Sequence, residues 1–489
     1  MTVTPIASTA SPVYRAIDVT TGDILSEYPF ATDADITEIV DAAATAFTVW
    51  RDVPLLDRIA VVRRIADLFE ARAGELALII TEEMGKPLIE ARDEAEFSAA
   101  IFRYNADHAE EHLADQLLDD AEDSTSWYQK LPVGVVLGVM PWNYPYYQIA
   151  RFAAPNLLVG NTVLLKHTES VPRSALVTEE IIRTALRDCG FPATGYTNLF
   201  ATHSQISDII VDPRVQGVSL TGSERAGAAI AAQAGAALKK AVLELGGSDP
   251  YVVLSSADPR AQARAALSQR LENTGQVCNG NKRLIVMADI YEDFVDEIVA
   301  RAAEYTPADP RLETTGSVAF AADPGTTTPT FGPLSSFAAA DRLIDQINRA
   351  VDAGATLHTG GTRVTGGEFA AGAYVWPTVL TDVPVGSDIY YEEMFGPVVQ
   401  VFRVSSDEEA LALANNTRFG LGSTVFAGEP GRAEAFAVKV EAGMTGANMT
   451  PPEVEYLPFG GVKCSGYGRE LGVVGMDEFV NRRLYSVKK

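Results

Sequence analysis

Cys278 ends the run Glu272-Asn273-Thr274-Gly275-Gln276-Val277-Cys278, thirty-four residues beyond Glu244 in Leu243-Glu244-Leu245-Gly246-Gly247-Ser248. One residue offers a thiol nucleophile and the other a carboxylate base. Both lie in glycine-bearing segments, where backbone can come close to a ligand. Only the thiolate is reactive, so a thiol near neutral pH needs a base or backbone donors beside it. A strand-end carboxylate can activate water when burial raises its pKa. Asn143 follows Pro141-Trp142. Its amide, with the backbone N–H of Cys278, could hold the oxyanion formed when sulfur attacks a carbonyl. Taken singly, each residue has a plainer reading: a cysteine as a small buried hydrophobe, a glutamate as a salt-bridge partner, an asparagine as a turn residue. Cys189 and Cys464 keep that plainer reading.

Two further groups suggest binding. Thr221-Gly222-Ser223 follows a β-rich run and opens a helical one, with Gly227 one turn on. A helix N-terminus with a small hydroxyl residue suits a diphosphate, although serine is also a common N-cap. Tyr144, Tyr147 and Arg151 are spaced by three and four, so they share one helix face. If Asn143 points at a carbonyl, that face lines the substrate tunnel. A guanidinium among tyrosines could then grip a distal carboxylate; the alternative is an arginine paired with a surface acid.

These residues need elements to hold them. After a loose arm of about fifteen residues, Ala/Leu-rich helical patterns cover 34–50, 55–72 and 90–115. From 133 the rhythm changes. Short β-rich runs at 133–140, 162–166, 197–200, 216–221 and 240–245 alternate with helical stretches at 145–159, 172–189 and 224–237. That is βαβ punctuation, which implies a parallel sheet covered by helices. No GxGxxG is present. A second α/β stretch runs from 250 to about 447, and the Thr/Ala/Gly/Pro-rich 317–330 reads as a surface loop. The tail ends in an alternating segment at 478–487.

Four segments in order, around Pro141-Trp142-Asn143, Glu244, Cys278 and Glu392-Glu393-Met394-Phe395-Gly396-Pro397, resemble the aldehyde dehydrogenase superfamily along nearly the whole chain. The resemblance implies an α/β fold of two Rossmann-like lobes and a β-arm for oligomerisation. The cofactor-binding lobe takes 1–115 and 133–246, the catalytic lobe 247–457, and the arm 116–132 and 458–489. It implies that Cys278 attacks an aldehyde, that Asn143 holds the thiohemiacetal anion, that hydride leaves to nicotinamide, and that water activated by Glu244 hydrolyses the thioester. It assigns Lys166 and Glu169 to the adenosine ribose, Trp142 to the diphosphate, Glu393 to the nicotinamide ribose and Phe395 to its ring. Leu245, Gly222 and Ser223 complete the cofactor set. The segment 313–328 is longer than the family's usual connection.

The wording around Phe152-Ala153-Ala154-Pro155, Leu165-Lys166-His167 and Leu245-Gly246-Gly247-Ser248-Asp249-Pro250 is similar to bacterial succinate-semialdehyde dehydrogenases. Those relatives often carry an arginine where Tyr456 stands, and a tyrosine brings a hydrogen bond without a charge. They also often have a small residue at the place of Glu169 and favour NADP. A carboxylate there accepts from both ribose hydroxyls and repels a 2′-phosphate, which favours NAD. The competing readings are a dehydrogenase for another small or aromatic aldehyde, an acylating dehydrogenase using coenzyme A, a cysteine hydrolase, and a non-catalytic relative. Glu244 argues against the acylating reading, and no Cys/His partnership supports the hydrolase.

Composition narrows the classes. With 489 residues and a net charge of −26, neither nucleic acid nor an anionic membrane is an expected partner. Three cysteines and five scattered histidines form no metal-ligand cluster, and His108 with His112 reads as a solvated helix face. The odd cysteine count, with no signal peptide or membrane-length apolar run in view, points to a reducing cytoplasm. The expected assembly is a homodimer or homotetramer.

Overall fold

The structure is a computed structural model that describes residues 13–316 and 329–489. The first twelve residues of the amino-terminal arm, and the expected insertion beyond Gly316, lie outside the described residues.

Five of the β-rich runs form one sheet. Its order is Gly466–Tyr467, Lys240–Glu244, Val215–Thr221, Val135–Met140, Thr162–His167 and Tyr196–Asn198. All neighbours are parallel except the short Gly466–Tyr467 edge. The strand Val135–Met140 is almost wholly buried and apolar, as expected of a strand covered on both faces. From it the chain runs outward to Thr162–His167, then returns to its other side at Val215–Thr221. The strand order therefore reverses there, and ligands of open α/β sheets bind beyond the carboxyl ends at such a point. Both Pro141-Trp142-Asn143 and Gly222-Ser223 emerge at that end.

The second sheet has the order Thr356–Thr359, Thr378–Thr381, Val398–Val404, Arg283–Met287, Pro250–Val253, Thr424–Phe426 and Gly446–Ala447. It too is parallel, apart from its first, antiparallel edge pair. A third, antiparallel sheet joins Gln116–Asp120, Ser124–Pro132 and Val480–Lys488. The tail therefore divides. Residues 480–488 build this sheet, whereas Gly466–Tyr467 extends the first sheet, so the expected arm 458–489 is too long at its start.

The helices Asp33–Trp50, Leu55–Ala71 and Leu88–His112 lie close to their expected spans, and Ala73–Met84 adds one more. In Asp33–Trp50 a capping box between Thr32 and Asp35 fixes the start, and Ile36, Val40, Ala43 and Trp50 form the buried stripe. The helix Pro145–Val159 is buried along its entire length. Proline at its first position costs no hydrogen bond, and Gly160 in the left-handed region ends it. Glu94, reaching across from Leu88–His112, accepts from the N–H groups of Tyr146 (2.8 Å) and Tyr147 (3.2 Å), so a carboxylate sits at the positive end of this helix. Among the described residues no helix is long and apolar enough to cross a membrane.

Candidate active site

The residues before Cys278 follow an unusual path. Asn273, Thr274 and Gly275 are successive left-handed residues (φ 46°, 53° and 76°). For the two non-glycines that costs of order 1–3 kcal/mol each, so surrounding contacts must hold the loop. Glu90 accepts from the Asn273 N–H at 2.6 Å. Asn273 Nδ2 donates to the Asn143 carbonyl at 3.0 Å. Buried Arg270 donates to the carbonyls of Gly275 (2.9 Å), Met394 (2.9 Å), Gly396 (2.6 Å) and Val398 (2.8 Å), tying this loop to 392–397. Gly275 is required twice over: by its φ, and because a Cβ there would lie 2.2 Å from the Gly396 carbonyl oxygen.

Cys278 follows this loop, partly buried. Lys282 clamps it from behind, with Nζ 2.7 Å from the carbonyls of Val277 and Cys278 and 2.9 Å from Glu393 Oε1. Burial pushes the thiol up to about 12, against the pull of Arg151 and Lys282. The segment after Glu244 packs directly on the cysteine, since a Cβ at Gly247 would stand 2.3 Å from the Cys278 carbonyl oxygen. Asn143 Nδ2 is 3.2 Å from the Gln276 carbonyl, two residues before the thiol, and the Gln148 amide lies 2.8 Å from the Asn143 amide. One N–H of Asn143 is thereby spent on positioning, and the amide retains a second.

Glu244 is 2% exposed, and among the described residues neither of its oxygens has a hydrogen-bond partner. Burial raises its carboxyl well above the ordinary range; Arg151 and Arg469 oppose that, and Glu470 and Glu478 add to it. A desolvated, unpartnered carboxylate is poised to hold a proton.

Arg151 departs from expectation. Its guanidinium is not free: it pairs with buried Glu470 and donates to Thr221 Oγ1 at 3.1 Å. It also lies over the rings of Tyr147 (4.7 Å) and Phe459 (4.8 Å). Burial opposes its charge, while Glu470, Tyr147, Glu244 and Cys278 together favour it, so it stays ionised. It still contributes to the wall of a cavity of about 260 Å³ that holds Cys278, Tyr144 and Tyr147. Tyr456 does not. It is 54% exposed, outside that wall, with its ring 6.3 Å from Tyr104. Tyr456, expected to meet the substrate, thus has its side chain at the surface beside Tyr104, while Glu453 takes the wall position.

On the opposite side of the thiol, Gly222 and Ser223 stand where the strand Val215–Thr221 meets the helix Glu224–Ala236, and Ser223 caps it. Leu245 covers Gly227, where a Cβ would meet the leucine at 2.6 Å. Lys166 Nζ is 2.6 Å from Glu169 Oε1 at the end of Thr162–His167. Trp142 and Phe395 form an edge-to-face pair 5.7 Å apart. Glu393 accepts from the Gly247 N–H at 3.1 Å. A helix N-terminus, ribose-sized acceptors and two flat apolar faces fit a nicotinamide dinucleotide.

Sequence reasoning missed Glu470, Lys282, Arg270, Gln148 and Glu453. Lys282-Arg283 reads as a charged strand entry, yet both side chains are buried. Only the tertiary fold brings these charges to the thiol.

The aldehyde dehydrogenase family profile matches residues 6–484. A succinate-semialdehyde dehydrogenase [NADP(+)] of Deinococcus radiodurans is 44% identical over 486 residues, covering 99% of this chain and 97% of its own length. Succinate-semialdehyde dehydrogenase [NADP(+)] 1 of Mycobacterium bovis is 40% identical, covering 95% and 97%. The crystal structure of succinic semialdehyde dehydrogenase from Streptococcus pyogenes with NADP+ as cofactor superposes with a TM-score of 0.88 at 38% identity, covering 97% of this chain and 100% of that one.

Proposed function

This chain belongs to the aldehyde dehydrogenase family and is an oxidoreductase, and on that premise we propose that it oxidises a short aldehyde through a thioester on Cys278. The observation that carries this reading is Glu244: a buried carboxylate that has no hydrogen-bond partner among the described residues, in a segment that packs on partly buried Cys278. Cys278 loses its proton and its sulfur attacks the carbonyl carbon. Asn143 and the Cys278 N–H hold the resulting oxyanion. When bound, the dinucleotide accepts the hydride released as the C–O bond becomes a carbonyl again. Glu244 then takes a proton from water, whose oxygen attacks the thioester and expels the thiolate. The balance is aldehyde, oxidised cofactor and water to carboxylate, reduced cofactor and two protons.

Succinate semialdehyde is the substrate that the relatives' names support, with Arg151 as the cation for its carboxylate. The wild-type protein is assayed with succinate semialdehyde and butanal by absorbance of the reduced nicotinamide, with and without coenzyme A. Turnover that does not need coenzyme A is expected. Turnover only with coenzyme A would overturn the hydrolytic reading.

Lys166, Glu169, Trp142, Gly222, Ser223, Leu245, Glu393 and Phe395 are the proposed cofactor contacts. The named relatives are NADP-linked, which keeps NADP in the reading. In this chain Glu169 already neutralises Lys166, so the lysine is less available to a 2′-phosphate. We propose that NAD is used well, and that Glu169→Ser shifts preference toward NADP. A tenfold preference of the wild type for NADP in kcat/KM would remove that role from Glu169.

The proposed assembly is a homodimer or homotetramer in a reducing cytoplasm. Its support is the exposed Leu117 and Leu118 on one outer strand of the antiparallel sheet and Leu484 on the other, edge strands that a second copy could cover. Light scattering that finds an active monomer would overturn this.

A further inference from the structure

Lys282 stands four residues beyond the thiol, immediately before the strand Arg283–Met287, and its side chain is 1% exposed. An ammonium has three N–H donors. Three acceptors meet this one: the carbonyls of Val277 and Cys278, each at 2.7 Å, and Glu393 Oε1 at 2.9 Å. Nζ also lies 5.6 Å from the centre of the Phe395 ring. One buried cation therefore touches the nucleophile loop on one side and, on the other, the segment proposed to hold the nicotinamide ribose and ring.

Stability alone does not call for an ion there, because replacing a buried ion pair by packed apolar residues is often neutral or stabilising. The contacts say what the charge does instead. The Val277 carbonyl belongs to the peptide whose N–H is that of Cys278, the donor proposed for the oxyanion. A charge-assisted bond to that carbonyl polarises the peptide and strengthens its N–H as a donor. Glu393 is fixed from its other side by the Gly247 N–H at 3.1 Å, and a Cβ at Gly246 would stand 2.4 Å from its Oε2. The carboxylate has no room on that side, so Lys282 sets its place relative to the sulfur.

We infer that Lys282 is a positioning residue for both halves of the reaction: it prepares the Cys278 N–H for the oxyanion, and through Glu393 it keeps the nicotinamide ribose in register with the sulfur. The inference rests on the thioester reading above and adds no chemical step to it. A displacement of ~1 Å between reacting groups can slow a step about 10²-fold.

The test compares the intact wild-type protein with Lys282→Met, Glu393→Gln and the double variant. Affinity is read by fluorescence of the tighter-binding of NADH and NADPH. Alkylation of Cys278 by iodoacetamide, without dinucleotide, is followed against pH by peptide mass spectrometry. The burst of reduced nicotinamide is read with butanal. In Lys282→Met the dinucleotide is expected to bind at least fivefold more weakly and the burst to slow at least tenfold. The alkylation limb is expected to move to higher pH, because a cation that favours the thiolate is gone while Arg151, Glu393 and Glu453, the other charges that act on the thiol, are kept. In the Glu393→Gln background the same substitution should weaken dinucleotide binding by less than a further twofold and still move the limb. A Lys282→Met protein with affinity and burst per thiol within twofold of wild type, an unmoved limb and only a lower melting temperature would make Lys282 structural and overturn the inference. So would a loss of affinity that is as large in the double variant as in the single one, since Lys282 would then not act through Glu393. If Lys282→Met does not fold, Lys282→Gln, which keeps donors and drops the charge, is read in the same way, and failure of both to fold would overturn the inference. A wild type that oxidises no short aldehyde would fail the thioester reading instead; binding and alkylation need no turnover, so the two failures are told apart.

Discussion

The two ends of the cavity hold charge in opposite ways. At the inner end Arg151, in the cavity wall, and its charged neighbours Glu244 and Glu470 are 2%, 2% and 4% exposed. Two carboxylates share one guanidinium in a desolvated space, so their protonation responds to each neighbour. At the rim Asp93 and Glu453 are exposed and, among the described residues, form no ion pair. A buried charge can be tuned as a proton acceptor, at the cost of leaving a lone ion if its partner is lost. A rim charge cannot be tuned far, but it can sort substrates by sign at little cost to the fold. The inner end is thus fitted to chemistry and the rim to selection.

The largest effects should come from the inner end. Cys278→Ala is expected to abolish oxidation and any thioester, read by rapid-quench mass spectrometry. Glu244→Gln is expected to give one burst of reduced nicotinamide and then slow turnover about 10²–10⁴-fold, the usual contribution of a positioned base. Steady turnover near wild type in either variant would separate the thiol from the base and break the assignment.

Arg151 gives the next effect. Removing it leaves Glu470 buried without its partner, which costs about 3–5 kcal/mol when a buried pair is broken. Arg151→Leu should therefore melt well below wild type, and Arg151→Leu with Glu470→Leu should recover part of that loss. The pH profile carries the sign. Glu244 works as a base only when unprotonated, so kcat rises with pH through its raised pKa. Arg151 opposes that rise in pKa. Without it the rising limb moves to higher pH. A limb that stays in place would show that Arg151 is structural only.

Much of the fold was legible because its signals are local. The β-rich runs at 133–140 and 216–221 needed only continuous apolar residues between turn signals. Cys278, Glu244 and Asn143 sit in glycine-bearing segments whose wording marks them, and the structure places their segments against one another. Arg151 shows where such reading stops. Its spacing with Tyr144 and Tyr147 gave the correct helix face, but its partner Glu470 is 319 positions away in sequence, and no local pattern links the two. Lys282 and Arg270 were illegible for the same reason: a cation before a strand or in the last turn of a helix reads as surface, and only the packed carbonyls around it make burial tolerable. Tyr456 shows the same limit: only two residues separate the rim glutamate from the exposed tyrosine, and nothing local shows which of them faces the cavity.

The smallest predicted effect separates the two ends most cleanly. Salt screens exposed charges, with a Debye length that falls from ~30 Å at 0.01 M to ~3 Å at 1 M, and it screens buried pairs much less. If Glu453 and Asp93 act through their field at a wet rim, the kcat/KM ratio of succinate semialdehyde to butanal should rise severalfold across that range. The rising limb of kcat with pH should hold its position, because Glu244, Arg151 and Glu470 are out of reach of the ions. Both quantities come from the same assay, so differential salt effects on cofactor binding cancel in the ratio. A ratio that ignores salt, in an enzyme where Glu453→Gln still raises it, would mean that the bound substrate closes the rim and that Glu453 acts by direct contact in a dry space. A limb that shifts with salt as much as the ratio changes would mean that the inner end is open to ions, and the contrast between the two ends would collapse.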